Sequence, residues 1–365
     1  MSISKNKAIL LLEDGTIFKG FAIGKIGTTT GEICFSTGLT GYQELYTDPS
    51  FFGQILVQTF VHVGNYGTNE NEIESDNIQI HGLVCKSFAS HYSRKLATKS
   101  LQDYFIEKGV VGIEGVDTRA IVQHIRQKGS MNAIISSEIF DIETLKSKLA
   151  LVPSMAGLEL SSQVSTKSFY TMGNESAPLR VAVLDFGIKQ NILRNLVNRN
   201  VYCGIYPAKT DFNELLKFKP DGVMLPNGPG DPGTMTYAVN TVKQIMEANI
   251  PTFGICMGNQ LLGQAFGLKT FKMKNGHRGL NHPVKNIQTG KCEITVQNHG
   301  FALKNEPNEM IEVTHINLND ETIEGIRVKG KPVFSVQYHP EAAPGPHDSH
   351  YLFDDFISLM QANKK

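Results

Sequence analysis

The sequence predicts two domains: a strand-rich α+β domain, then an α/β domain with an open, mostly parallel sheet flanked by helices. Three observations carry this expectation. The chain has 365 residues, enough for two domains at roughly 100–200 residues each. Its composition breaks once, between about Leu160 and Arg180, where Ser161-Ser162-Gln163-Val164-Ser165-Thr166-Lys167 and Gly173-Asn174-Glu175-Ser176-Ala177-Pro178 are polar, breaker-rich and without period. Beyond Arg180, short apolar runs alternate with helical patterns. The expected boundaries are residues 1–155 for the first domain, 156–179 for a linker and 180–365 for the second.

In the first domain, Lys7 to Glu13 and Thr16 to Ala22 flank Asp14-Gly15 and read as a hairpin. Gln54 to Phe60 is a further strand, and helical patterns cover Thr118–Lys128 and Ile142–Leu151. In the second, Arg180–Asp185, Val201–Tyr206, Asp221–Leu225 and Thr252–Cys256 read as strands. Helices are expected over Ile188–Val197, Asp211–Leu216, Met235–Ala248 and Met257–Phe266. Such β-α-β alternation implies a parallel sheet whose reacting groups gather at the carboxyl ends of the strands.

Composition excludes several classes of function. Lys plus Arg and Asp plus Glu each number 35, so the net charge of zero supplies no field for holding a nucleic acid. Hydrophobic residues at 41% and charged residues at 19% fit a packed protein rather than a disordered one. The early apolar run Ala8–Leu12 is too short to cross a bilayer, so no membrane partner is expected. Five scattered cysteines argue against a disulfide framework and for a reducing, cytoplasmic location. His81, Cys85 and His91 lack metal-finger spacing, and no metal site is expected.

Three strand ends could carry chemistry. Gly254-Ile255-Cys256-Met257-Gly258 ends an apolar strand and opens a helix. A nucleophile on such a sharp turn needs small neighbours, and a helix N-terminus beneath a sulfur favours negative charge on it. A small buried cysteine is the commoner occurrence. With Gly at 34 of 365 positions, a cysteine flanked by glycine on both sides arises by chance about 4% of the time. Val333–Glu341 is an apolar strand running into His339-Pro340-Glu341. In extended backbone, residues two apart share a face, so Glu341 can orient one imidazole nitrogen of His339 and leave the other as a base. Asn227-Gly228-Pro229-Gly230 offers backbone N–H groups of the kind an oxyanion hole requires, although such pairs are also ordinary turn residues. Together the three loops point to a Cys-His-Glu hydrolytic site.

These motifs resemble the class I (triad) glutamine amidotransferases. Asp185-Phe186-Gly187-Ile188-Lys189, Gln297-Asn298-His299-Gly300-Phe301 and the continuation of His339-Pro340-Glu341 through Asp348 narrow the likeness to the small, glutamine-hydrolysing subunit of carbamoyl-phosphate synthase. So do Thr40-Gly41-Tyr42-Gln43-Glu44, Thr47-Asp48-Pro49-Ser50, Gly64–Asn69 and Val116-Asp117-Thr118-Arg119 in the first domain, which other amidotransferases of this class lack. The resemblance spans nearly the whole chain. It implies Cys256 as nucleophile, His339 as acid and base, Glu341 as its orienter, and the amides of Gly228 and Met257 as oxyanion hole. It further implies that Gly228, Gly230, Met257, Gln260, Asn298, Gly300 and Phe301 hold L-glutamine. It implies no cofactor in this chain, a large-subunit partner that uses ATP, a divalent cation and bicarbonate to make carbamoyl phosphate for arginine and pyrimidine synthesis, and room for higher oligomers of that heterodimer. The alternatives are a glutaminase subunit serving anthranilate or GMP synthesis, which the first domain argues against, and a catalytically weak regulatory subunit. Two departures stand out: Asn259 occupies a position that is commonly histidine in the family, and Gly38 one where some relatives carry a serine that touches glutamine.

Overall fold

The apolar run Ala8–Leu12 is buried on both of its faces because it is one stave of a closed barrel. The structure, a computed structural model, describes residues 5–364; residues 1–4 and 365, the outermost parts of the expected domains, lie outside it. Two compact units divide the chain: Met1–Leu158 with Lys274–Arg278, and Glu159–Met273 with Gly279–Lys365.

The first unit's barrel is built from Lys7–Leu12 (β1), Ile17–Gly24 (β2), Thr28–Ser36 (β3), Gln54–Gln58 (β4), Gly82–Val84 (β5), Val111–Glu114 (β6) and Asn132–Ser136 (β7), in the order β1-β2-β6-β5-β4-β3-β7. The hairpin expected at Asp14-Gly15 is present: Asp14 Oδ1 accepts from Thr16 N at 3.0 Å, and Gly15 takes the positive φ of 89° that the turn needs. Closure through β7 against β1 removes the exposed edges that an open sheet would leave. Around the barrel lie Leu101–Lys108 (α1), Thr118–Lys128 (α2) and Ile142–Leu149 (α3), each with a side chain accepting at its start: Ser100, Asp117 and Asp141. The strand period of two explains why β1 is apolar throughout. Leu10 and Leu12 pack with Ile55, Val57 and Ile135, while Ile9 and Leu11 turn to Leu145 and Leu149 of α3.

The second unit holds a ten-stranded sheet. Its strands are Tyr170–Met172 (β8), Leu179–Asp185 (β9), Val201–Pro207 (β10), Gly222–Leu225 (β11), Thr252–Ile255 (β12), Thr270–Asn286 (β13), Cys292–Leu303 (β14), Ile311–Asn317 (β15), Ile323–Val328 (β16) and Val333–Val336 (β17). They run in the order β8-β10-β9-β11-β12-β17-β16-β15-β13-β14. Strands β10, β9, β11, β12 and β17 pair in parallel. The expectation of a mostly parallel sheet therefore describes only this half. From β17 the sheet continues antiparallel through β16, β15 and β13, and β8 adds an antiparallel edge strand. The physical reason is connectivity: no helix separates the strands between Thr270 and Val328, and strands joined by short turns pair antiparallel. The polar stretch after Leu160 carries a helical turn at Ser161–Val164 as well as β8.

Helices cover both faces of the parallel half, which is why its strands are apolar without alternation. Val181 and Val183 pack with Ile192 and Leu196 of Gln190–Val197 (α4) and with Phe353 and Phe356 of Tyr351–Asn363. Ala182 and Leu184 face the cluster holding Val242 and Ile245 of Thr236–Glu247 (α5) and Leu261 and Leu262 of Met257–Ala265 (α6). Among the described residues, no helix is long and apolar enough to cross a membrane.

Candidate active site

The chain leaves β12 and enters α6 through a single residue, Cys256, held at φ 53° and ψ −100°. A positive φ is costly for any residue with a side chain, and here the surroundings enforce it. Cys256 N donates to Val336 O at 2.9 Å, and Gly258 N donates to Pro226 O at 3.1 Å. The flanking glycines are sterically required: a Cβ on Gly258 would lie 1.9 Å from Leu225 O, and one on Gly254 would lie 2.6 Å from Leu262 Cδ1. The turn thus lifts the sulfur above the carboxyl edge of the sheet, where Sγ lies 3.8 Å from Asn298 O. Met257 opens α6, so its N–H is one of those with no acceptor inside the helix.

The next strand over, β17, runs on through Gln337 and Tyr338 to His339, whose N donates to Val296 O at 2.9 Å. His339 Nδ1 and Glu341 Oε1 are 2.7 Å apart, and both side chains are buried. Nδ1–H pointing at the carboxylate leaves Nε2, which is buried without a hydrogen-bond partner. Burial opposes charge on the ring more than any other single influence, but the Glu341 carboxylate and Cys256 together outweigh it, so the imidazole holds its proton well above its ordinary range. Glu341 behaves in the opposite sense. Burial alone would push its carboxyl up; Lys189 and then His339 override that and hold it well below the usual carboxylate range.

Lys189 arrives from the loop after β9. Its Nζ sits 3.0 Å from Glu341 Oε1 and donates to Ala342 O at 2.7 Å, with 3% of its side chain exposed. Asn191 Nδ2 donates to Glu341 O at 2.5 Å. The loop after β11 is tied to this one: Lys189 N donates to Asn227 Oδ1 at 3.0 Å, and Asn227 Nδ2 to Gly187 O at 2.9 Å. Gly228 follows, and a Cβ there would lie 2.3 Å from Phe186 O, so only glycine brings this backbone so close. A thiol, a buried imidazole, a carboxylate braced by a lysine, and strand-end amides make up the machinery of nucleophilic acyl transfer.

A family model described as glutamine amidotransferase class-I matches residues 182–359, and one described as carbamoyl-phosphate synthase small chain, CPSase domain, matches residues 10–135. The carbamoyl phosphate synthase small chain of Chlorobaculum tepidum is 49% identical over 361 residues, covering 98% of each chain. That of Aquifex aeolicus is 46% identical, covering 98% of this chain and 100% of its own, and that of Corynebacterium diphtheriae is 46% identical over the full length of both. This chain belongs to the carbamoyl phosphate synthase small chain family. It is a two-domain member with a class I glutamine amidotransferase domain, as the motifs led one to expect.

Within this family member, the sequence-expected residues come from several strands. Gly228 and Gly230 follow β11; Cys256, Met257 and Gln260 follow β12; Asn298, Gly300 and Phe301 lie on β14; His339 and Glu341 follow β17. Direct contacts join Cys256 to Asn298, His339 to Glu341, and Gln260 to Phe301, the last by Gln260 Nε2 donating to Phe301 O at 2.7 Å. Gly230, at φ 92°, is bridged to Glu159, and Gly300 is half-buried in β14. Asn259 is fully buried, accepting from Ser335 Oγ at 2.9 Å and donating to Gln337. Gly38, in the first unit, donates its N–H to Ser36 Oγ and accepts from Gln58 through its carbonyl.

Sequence reasoning missed Lys189 and Gln337. Lys189 closes the Asp185–Lys189 segment and Gln337 lies within Val333–Glu341, and neither was expected at the site. The available signal for Lys189 was its place beyond a strand end on the same carboxyl edge as the three loops, but surface lysines occupy such positions routinely.

Proposed function

We propose that this chain is the glutamine-hydrolysing subunit of a carbamoyl-phosphate synthase and that Cys256, His339 and Glu341 carry the hydrolysis. Cys256 Sγ attacks the side-chain amide carbon of L-glutamine with the thiol proton held on His339 Nε2. The oxyanion that forms is held by the N–H groups of Gly228 and Met257. When the tetrahedral adduct collapses, the C–N bond breaks and His339 returns the proton to the departing ammonia, leaving a γ-glutamyl thioester. His339 then draws a proton from water, whose oxygen attacks the thioester, and glutamate leaves with Cys256 restored as thiol. Glu341 keeps the Nδ1 tautomer fixed and stabilises the imidazolium, and Lys189 braces Glu341. Gly228, Gly230, Met257, Gln260, Asn298, Gly300 and Phe301 form the cradle for glutamine.

The observation that carries this reading is the strained Cys256 turn beside a buried His339–Glu341 pair. Residues 1–155 and 180–365 serve as the two functional domains, with residues 156–179 between them. No cofactor is assigned to this chain; a large subunit takes up the ammonia with bicarbonate, ATP and a divalent cation in the cytoplasm. The test is glutamate release from glutamine by the wild-type chain and by Cys256→Ala, each assembled with the large subunit. Loss of hydrolysis in Cys256→Ala, with binding of the large subunit intact, is the expected result; full retention overturns the assignment of the nucleophile.

A further inference from the structure

A single backbone carbonyl sets the direction of four buried polar side chains beside Cys256. Phe301 O can only accept, so the group that Gln260 turns to it must be its NH2, at 2.7 Å. The second hydrogen of that NH2 goes to Gln337 Oε1 at 3.2 Å. The same oxygen accepts from Asn259 Nδ2 at 3.2 Å, and Asn259 Oδ1 in turn accepts from Ser335 Oγ at 2.9 Å. Turning the Gln337 amide over would set its NH2 against two other NH2 groups. Its orientation is therefore fixed, although it leaves Gln337 Nε2 buried with no partner. A buried unpaired donor is costly, and a native structure that keeps one needs a reason for it.

The reason lies in what remains of Gln260. Both hydrogens of its amide are committed, to Phe301 and to Gln337, so its oxygen is the one polar atom the side chain can still offer. We propose that Gln337 is a positioning residue for substrate selection: it holds the Gln260 carboxamide with its NH2 turned inward, so that the side chain meets glutamine solely as an acceptor for a substrate N–H. Gln337 also ties the first turn of α6, which follows the nucleophile, to the segment of chain that leads from β17 into His339. This inference rests on the assignment of Cys256 as nucleophile and of Gln260 to the glutamine cradle.

The test uses the full chain assembled with the large subunit. Gln337→Met keeps length and volume but removes the acceptor. It is expected to raise KM for glutamine at least tenfold with kcat within threefold, the signature of lost uniform binding. Alkylation of Cys256 by iodoacetamide, which does not use Gln260, is expected to stay within twofold of wild type. Gln337→Glu restores an acceptor and is expected to bring KM back to within threefold of wild type. Asn259→Asp is nearly isosteric and presents an oxygen where Gln337 needs a donor; it forces the Gln337 amide over and is expected to raise KM in the same way. Should Gln337→Met not fold, Asn259→Asp decides the matter alone. An unchanged KM in a folded variant overturns the proposal, and so does a parallel loss of kcat and of Cys256 alkylation, which would mark Gln337 as merely structural. If Cys256→Ala stays active, the reading of the site itself fails; if Cys256→Ala is dead and KM does not move, only the role of Gln337 falls.

Discussion

Removing the lysine behind Glu341 tests the electrostatic logic of the site most directly. Lys189 Nζ and Glu341 Oε1 lie 3.0 Å apart with 3% and 0% of their side chains exposed. At that separation an effective dielectric of about 20 gives an attraction of about 5.5 kcal/mol. Lys189→Met keeps the aliphatic stem and deletes the charge, leaving Glu341 buried with His339 as its remaining ionic partner. Breaking one side of a buried pair typically costs about 3–5 kcal/mol, and the lost hydrogen bond to Ala342 O falls within that figure. Urea unfolding of the full chain at neutral pH reads the stability. A pH series adds a second signature. Because the folded protein holds the Glu341 carboxyl low, its contribution to stability is present above the unfolded carboxyl value of about 4.3 and is lost as pH falls through the folded value. Lys189 is the largest cause of that depression, so the acid limb should shrink in the variant. A variant within about 1 kcal/mol of wild type, with the acid limb unchanged, would refute the claim that Lys189 braces Glu341.

Other substitutions probe separate parts of the argument. Glu341→Gln should lower kcat/KM by on the order of 10²- to 10⁴-fold in steady-state glutamine hydrolysis, because the imidazole loses both its orienting acceptor and its counter-charge. Gly258→Ala pushes a methyl into Leu225 O, 1.9 Å away, and should lower the thermal midpoint by several degrees while abolishing activity, since the turn at Cys256 cannot open without moving the proposed nucleophile. His339 holds its proton more tightly folded than unfolded, so its stabilising effect is complete below about pH 6.5 and fades as pH rises through the folded value. Urea unfolding of His339→Gln should accordingly show a flatter alkaline limb than wild type as pH rises from about 6.5 through the folded value. Leu11→Ala, at a fully buried position of β1 facing α3, should cost about 2–5 kcal/mol in the same assay without altering glutamine hydrolysis.

Local pattern was enough to reveal much of this molecule. The hairpin at Asp14-Gly15, the helix Thr118–Lys128 and the βα alternation from Leu179 to Ala265 stand where the apolar periods and turn residues put them, because each is decided by neighbours a few residues apart. The double-glycine turn around Cys256 was legible for the same reason: its requirement for small flanking residues is written within five positions. His339 and Glu341 meet at 2.7 Å as their spacing led one to expect, but through a turn and not an extended strand: β17 ends at Val336, and Ala342 N donates to His339 O at 3.2 Å.

Tertiary structure decided the rest. The closure of the barrel depends on β7 returning to β1 from more than a hundred residues away, and no local period encodes that pairing. The antiparallel half of the sheet was invisible for a related reason: the long strands Thr270–Asn286 and Cys292–Leu303 mix buried and exposed residues without clean alternation. Lys189 and Gln337 are ordinary polar letters in the sequence and became meaningful only when folding placed one against Glu341 and the other between Asn259 and Gln260. An amino-acid sequence determines by itself the groups whose chemistry and backbone needs are local, such as a cysteine turn that demands glycine on both sides. Buried charge pairs and donor–acceptor relays depend on which distant atoms share a water-free volume, and folding alone establishes that.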